Sequence, residues 1–127
     1  MSEPTSIDGV WVILKAELAG EAMPEMIVRK IEVELTAGEY TMRFGGDVAD
    51  RGTYELGPHP TARAITLTGV VGTNAGRTIP AIYQLVGENL HVIYGLDGTQ
   101  PAGFATKPEP NHFLAIYQRK PPDPSGI

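Results

Sequence analysis

The feature that most constrains the fold of this chain is a two-residue alternation of apolar and polar side chains, interrupted by tight turns. Residues 30–36 place Ile, Val and Leu at every second position against Lys and Glu, and residues 39–44 repeat the pattern with Tyr, Met and Phe. Ala37 and Gly38 separate the two runs, as in a two-residue β-hairpin connection. The pattern therefore predicts half-buried antiparallel strands.

Runs of this kind recur along the whole chain, between turns rich in glycine. We predict strands at residues 9–18, 30–36, 39–44, 48–56, 64–71, 78–86, 89–95 and 112–119. One helical turn is expected at residues 25–29, because Pro24 precedes it and proline is favoured at the start of a helix. Antiparallel strands of this number close well into an up-and-down barrel, which leaves no unpaired sheet edge.

The expected fold is therefore an all-β, eight-stranded antiparallel up-and-down barrel with one short helical turn. The barrel domain is expected to span residues 9–120. Residues 1–8 are assigned to an N-terminal extension, and the proline-rich tail at residues 121–127 is expected to be disordered.

Composition narrows the classes of function. The 127-residue chain has a net charge of −5, and no cluster of Lys and Arg exceeds two adjacent residues, so no nucleic-acid interface is expected. The chain has no cysteine, which excludes disulfides and thiolate metal sites. No apolar run approaches the roughly 20 residues of a membrane helix, and the N-terminus lacks the pattern of a signal peptide. We therefore expect no membrane partner and a cytoplasmic location.

The two ends of the predicted barrel differ. An even number of strands returns the chain to its starting end, so Trp11 at the start of the first strand and Arg119 at the end of the last should be neighbours. The indole is expected to plug this closed end, with the guanidinium on its face in a cation–π contact as a structural cap.

The longer connections, at residues 19–29, 45–47, 72–77 and 96–111, collect at the other end, which we predict to be the mouth. Residues predicted by strand phase to face inward there, or to cover the mouth from its connections, are the ligand-binding candidates: Glu17, Met26, Phe44, Tyr83, Tyr94, Phe104 and Phe113. Lys15 and Glu17 share the inward face of Trp11 unless a bulge interrupts the first strand. The sequence leaves both arrangements open.

Other polar residues give weaker signals. The histidines are far apart in sequence, and of the three His112 is best placed to ligate a haem iron, but no second signal supports it, so no cofactor and no metal site are expected. A charged group beside the third turn is interpreted as solvated: Asp47, Asp50 and Arg51. No triad order, zinc-protease motif or phosphate-binding loop is present, so no catalytic residue is assigned and an enzyme is the least supported class.

The Gly9-x-Trp11 opening and the closing Arg119 resemble the lipocalin and calycin pattern. A longer series of motifs resembles a bacterial lipocalin-like domain family of uncharacterised function, abundant in planctomycetes: Gly20-Glu21-x-x-Pro24, Gly38-x-Tyr40-Thr41, Gly52-Thr53-Tyr54, Ile82-Tyr83-x-Leu85-x-Gly87-x-x-Leu90 and Phe104-Ala105-Thr106-Lys107-Pro108. The resemblance spans residues 9–120. It implies a lipocalin-like barrel and no particular activity.

Two functions follow from this fold. The first is a binding domain that holds a small apolar or amphipathic molecule in the barrel. The alternative is a filled barrel that acts as a protein-interaction or self-association domain and forms homo-oligomers. Interior tyrosines suit either function, because they either fill the core or orient a guest.

Overall fold

The computed structural model describes residues 7–18, 20–58, 62–72, 74–96, 98–101, 103–104 and 112–120. The elements in chain order are β1 (Gly9–Leu18), β2 (Glu21–Ala22), α1 (Glu25–Val28), β3 (Ile31–Thr36), β4 (Glu39–Phe44), β5 (Asp47–Pro58), β6 (Arg63–Gly72), β7 (Thr78–Val86), β8 (Asn89–Gly95) and β9 (His112–Arg119). The tail predicted at residues 121–127 lies outside the described residues.

The strands form one antiparallel sheet in the order β2-β1-β3-β4-β5-β6-β7-β8-β9, and pairing of β1 with β9 closes it. The two-residue strand β2, which the sequence did not predict, pairs with the end of β1 and stands outside the ring. The remaining eight strands make the wall of the barrel. The predicted eight-stranded barrel with one short helix is therefore confirmed.

The hairpin between β3 and β4 forms as its sequence predicts. Ala37 and Gly38 both adopt positive φ angles, of 51° and 84°. Two such residues suit the tight turn that matches the twist of paired strands. The register of β3 and β4 is regular along the whole pair and begins with Thr36 opposite Glu39. The alternating apolar side chains of both strands therefore face the interior.

Strand β1 contains a bulge that sets which of its side chains face inward. The ladder between β1 and β9 shifts register at Leu14. Beyond the shift Ala16 is buried, Lys15 is exposed, and Glu17 lies opposite Leu114, whose side chain packs on the outside of the barrel. Of the two arrangements that the sequence left open, the bulge is the one that forms, and Glu17, a ligand-binding candidate, faces outward, because an extra residue in one strand reverses the phase of those that follow.

The closed end is built as predicted. Trp11 and Arg119 are paired across β1 and β9, the Trp11 side chain is 1% exposed, and the Arg119 Cζ atom lies 4.4 Å from the centroid of the indole. The indole N–H donates to the Ile7 carbonyl at 2.9 Å, and the Arg119 guanidinium donates to the Asp8 carbonyl at 2.7 Å. Gly9 has a φ of 139°, and a Cβ there would collide with the guanidinium, so glycine is required beside this cap.

A second apolar cluster lies on the outside of the wall. Ile82, Ile93 and Leu114 come from the outward faces of β7, β8 and β9, and Phe104 packs against them. Pro101, in the described part of the connection after β8, is fully buried. Phe104 therefore covers the outer wall, and its predicted position over the mouth is wrong.

The outer face of β3 and β4 carries ion pairs. Arg43 on β4 forms ion pairs with Glu32 at 3.1 Å and Glu34 at 2.8 Å on β3, and Lys120 reaches Glu32 at 3.1 Å. Such cross-strand pairs on a partly solvated surface contribute little each, about 0–1 kcal/mol. Among the described residues, no helix is long and apolar enough to cross a bilayer.

Candidate functional site

The interior is filled at one end and hollow at the other. Around Trp11 the side chains leave a void of about 20 Å³, whereas the half of the barrel towards the mouth contains a cavity of about 280 Å³. The lining of this cavity includes side chains from every strand of the wall: Leu18, Met23, Ile31, Val33, Tyr40, Met42, Asp50, Leu67, Asn74, Ile79, Tyr94, Leu96, Phe113 and Tyr117. Met23, from the connection after β2, and Leu96, from the connection after β8, are among these lining residues.

One wall of the cavity is aromatic. The rings of Tyr94 and Phe113 stack with their centroids 5.8 Å apart, and the hydroxyl oxygens of Tyr94 and Tyr117 lie 2.7 Å apart in a hydrogen bond. Burial raises the pKa of Tyr94 to about 12. Burial, together with the neighbouring Tyr94, raises the pKa of Tyr117 well above its ordinary value. Both phenols therefore remain protonated at neutral pH and offer hydroxyl groups to a guest.

The opposite wall carries a buried carboxylate, Asp50 on β5, whose residue is 3% exposed. Its Oδ2 accepts hydrogen bonds from the Tyr40 hydroxyl at 3.3 Å and from the Asn74 side-chain amide at 2.6 Å. Its Oδ1 accepts a longer bond, of 3.4 Å, from the Asn74 backbone N–H. Within the described part of the chain these partners are neutral, and no Lys, Arg or His forms an ion pair with this carboxylate.

Asn74 reaches Asp50 because the connection after β6 folds back over that strand. The Gly69 N–H donates to the Arg77 carbonyl, and the Gly76 N–H donates to the Gly69 carbonyl, each at 2.9 Å. A Cβ at Gly69 would collide with the Asn74 carbonyl group, so any larger residue would push the connection away. Glycine at this position therefore helps to build the polar wall.

Arg77 ties the connections around the mouth together. Its guanidinium donates to the Asn74 side-chain oxygen at 3.1 Å and to the Leu96 carbonyl at 2.6 Å. Because the Asn74 oxygen accepts from Arg77, its amide nitrogen is free to donate to Asp50. The exposed arginine thus orients a half-buried amide without touching the carboxylate.

Tyr40 completes this polar group. Burial and the facing carboxylate of Asp50 raise the pKa of Tyr40 above its ordinary value, because a phenolate there would be desolvated and repelled. The hydroxyl therefore stays a hydrogen-bond donor to Asp50. Tyr40, Tyr94 and Tyr117 all stay protonated at neutral pH, so none of them supplies a general base there.

The structure brings some of the predicted site residues to the cavity and separates others from it. Tyr94 and Phe113 line it. Tyr83 lies deeper, beside the small void near Trp11, as predicted. Phe44 keeps the inward phase of β4 but is 41% exposed at the strand end, outside the cavity lining. Met26 is 78% exposed on α1, so its predicted position over the mouth is wrong; Met23 occupies that place.

Asp50 and Asn74 are the site residues that the sequence analysis missed. Asp50 was interpreted as part of a solvated turn, whereas it lies within β5 and faces inward with Gly52 and Tyr54. The signal was present, since these three residues are spaced by two. Asn74 gave no comparable signal, because its position depends on how a whole connection folds.

Other possible sites are less developed. A pocket of about 270 Å³ is lined by residues 62–63 and 83–85, a small set from β7, the first residue of β6 and the residue before it. His112 faces outward, and its Nε2 lies 2.9 Å from the Thr99 hydroxyl, so it does not reach the cavity. His59 lies outside the described residues. In the described ranges, no three His, Asp or Glu side chains are grouped to hold a metal ion.

Comparison of the chain with protein-family models, with curated proteins and with solved structures gave no match. The eight-stranded antiparallel barrel is consistent with a calycin-like fold.

Proposed function

We propose that the protein is a binding domain that holds a small apolar or amphipathic molecule in the cavity at the mouth of its barrel. The observation that carries this proposal is the cavity itself, about 280 Å³ of space inside an otherwise well-filled barrel. Ligand sites are typically concave and apolar, with a few placed polar groups that orient the guest. Ile79, Leu67 and Phe113 supply the apolar lining, and Asp50 with Tyr94 supplies polar groups.

The family that we infer is the bacterial lipocalin-like group which the sequence resembles. Support comes from the Gly9-x-Trp11 opening and from Arg119, which together form the cap at the closed end. Barrel closure between the first and last strands also agrees with what that resemblance implies.

A binding measurement with a neutral probe tests the proposal. We expect 1-octanol to bind the full chain in isothermal titration calorimetry with one site. Val33→Phe places a ring in the cavity, and we expect it to abolish binding while the melting temperature is kept. Phe113→Ala should weaken binding about threefold to tenfold, because the ligand loses the apolar contact of one ring.

Phe104→Ala is the matched control, since it removes the same ring from the outer wall. It should lower the melting temperature without changing the affinity for octanol. Equal loss of affinity in the two variants, or binding by Val33→Phe as tight as that of wild type, would contradict a site in the cavity.

Self-association is the second candidate, and exposed apolar residues at the mouth end favour it. Met26 on α1, Phe44 at the end of β4, and Val48 and Val70 on β5 and β6 are all exposed there. Exposed apolar groups gathered at one end often mark an interaction surface. Sedimentation velocity of wild type and of Met26→Ser/Phe44→Ser tests this: a dimer that the double variant dissolves supports it, and a monomer at all concentrations refutes it.

A further inference from the structure

We propose that the cavity selects an amphipathic amine, with the ammonium group of the ligand at Asp50 and its apolar body against Tyr94 and Phe113. This inference rests on the proposed binding function and specifies its ligand class. The placement of one carboxylate within an otherwise apolar cavity carries it.

The first argument is the charge at Asp50. A carboxylate away from water is stable when hydrogen bonds and an opposite charge compensate it. Tyr40 and Asn74 provide hydrogen bonds, but both are neutral, and in the described residues no cationic side chain pairs with Asp50. Arg77 forms no ion pair with Asp50, because its guanidinium donates hydrogen bonds to the Asn74 side-chain oxygen and to the Leu96 carbonyl instead. A ligand cation would supply the missing charge.

The second argument is the capacity of the carboxylate to accept more bonds. An ionised carboxylate has about four lone-pair sites. Oδ2 accepts one short bond, of 2.6 Å from Asn74, and a longer one from Tyr40, whereas Oδ1 accepts a single bond at 3.4 Å. Asp50 also lines the cavity. An ammonium group with its three N–H donors therefore finds acceptor sites there.

The charge of Asp50 also discriminates between the head groups that a ligand could carry. An anionic head would meet the like charge of Asp50 in a partly desolvated site, which is unfavourable. A neutral hydroxyl donates one hydrogen bond, and bonds to charged groups are strongest when both partners carry charge.

Cavity volume sets the size of a suitable probe. A water-sized group takes about 30 Å³, so the cavity of about 280 Å³ accepts roughly nine heavy atoms. An eight-carbon chain with one nitrogen has that size. Three probes then share one chain and differ only in the head group: n-octylamine, 1-octanol and octanoate.

The test is titration of the three probes into the full chain by calorimetry at neutral pH, in low salt and in 0.5 M salt. Wild type should bind octylammonium at least about tenfold more tightly than octanol, with octanoate weakest. The preference should persist in high salt, because charges buried from solvent are weakly screened. A preference that disappears in high salt would indicate attraction to the acidic surface and overturn the proposal.

Asp50→Asn keeps the shape of the side chain and removes its charge. It should bring octylammonium and octanol to within about threefold of each other, chiefly by weakening the binding of octylammonium. Asp47→Asn removes the same charge from an exposed position of the same strand, and it should retain the wild-type preference. If Asp50→Asn fails to fold, chemical-shift mapping of octylamine on wild type replaces it, and perturbation must centre on the Asn74 side-chain amide.

The outcomes separate this inference from the function on which it rests. Equal binding of octanol and octylammonium to wild type refutes amine selection and leaves a binding cavity. Absence of binding by all three probes refutes both. Perturbation by octylamine that maps to the outer wall also refutes amine selection, whatever its affinity.

Discussion

Truncation of Trp11 tests how the barrel is closed. The indole is 1% exposed, fills the end of the interior and donates to the Ile7 carbonyl at 2.9 Å. Removal of a buried tryptophan side chain costs about 3–5 kcal/mol, and the value depends on how far the surroundings collapse. The small void of about 20 Å³ beside it indicates tight packing, so we expect Trp11→Ala to lie in the upper half of that range.

Arg119 contributes to the same cap by a separable interaction. Its Cζ atom lies 4.4 Å from the indole centroid, and the residue is exposed. Arg119→Met keeps the apolar stem and removes the charge, so it should lose a cation–π contact of about 0.5–1 kcal/mol and the hydrogen bond to Asp8. Arg119→Lys should recover part of the loss.

The measurement is the free energy of unfolding in urea for wild type, Trp11→Ala, Trp11→Phe, Arg119→Met and the double variant Trp11→Ala/Arg119→Met. The coupling free energy of this cycle isolates the contact between the ring and the charge. Trp11→Phe also leaves the Ile7 carbonyl without its donor, which should cost about 1–3 kcal/mol. A cost below about 2 kcal/mol for Trp11→Ala would refute the buried plug, and a coupling energy of zero would refute the cation–π contact.

Two further predictions concern ionisation and the bulge. The raised pKa values of Tyr94 and Tyr117 mean that the folded state holds these two protons more tightly than the unfolded chain does. Their contribution to the free energy of unfolding is therefore complete below pH about 10 and declines towards pH 12. Urea unfolding at pH 8–11.5 should show this decline, and Tyr94→Phe/Tyr117→Phe should reduce it; an unchanged slope would contradict it. Deletion of Leu14 removes the extra residue of the bulge, so Lys15 and Glu17 should keep their outward phase and the barrel should still fold. Deletion of Val12, in the regular part of the same strand, moves either Trp11 or the residues after it to the opposite face and should cost several kcal/mol, so equal melting shifts for the two deletions would show that the bulge does not set the phase.

The parts of the fold that were predictable depend on short-range patterns. The hairpin of β3 and β4 follows from alternation on both sides of Ala37-Gly38. The contact between Trp11 and Arg119 follows from strand number alone, since parity decides which ends of a closed barrel meet. Neither prediction required knowledge of a side-chain contact.

The errors share a different physical origin. A bulge forms only when two strands pair with a shifted register. The reversal of phase at Glu17 therefore depends on β9, which is distant in sequence. The direction of a long connection depends on which surface it can cover. Phe104 packs on Ile93 and Leu114, outward residues that a strict alternation would leave in water. Their apolar character was visible in the sequence, and it indicates that a covering segment must exist.

Asp50 shows why the polar part of a site is harder to find than its apolar part. Charged residues are rarely buried without partners, and that general expectation outweighed the two-residue spacing of Asp50 with Gly52 and Tyr54. The partner that makes burial tolerable is Asn74, 24 residues later, and it arrives because Gly69 allows the connection to fold inward. A carboxylate that holds the inward phase of a strand is therefore an observation to explain, because the chain must either neutralise it or use it. Here the chain supplies neutral donors and an adjoining cavity, the combination that a cationic guest would complete.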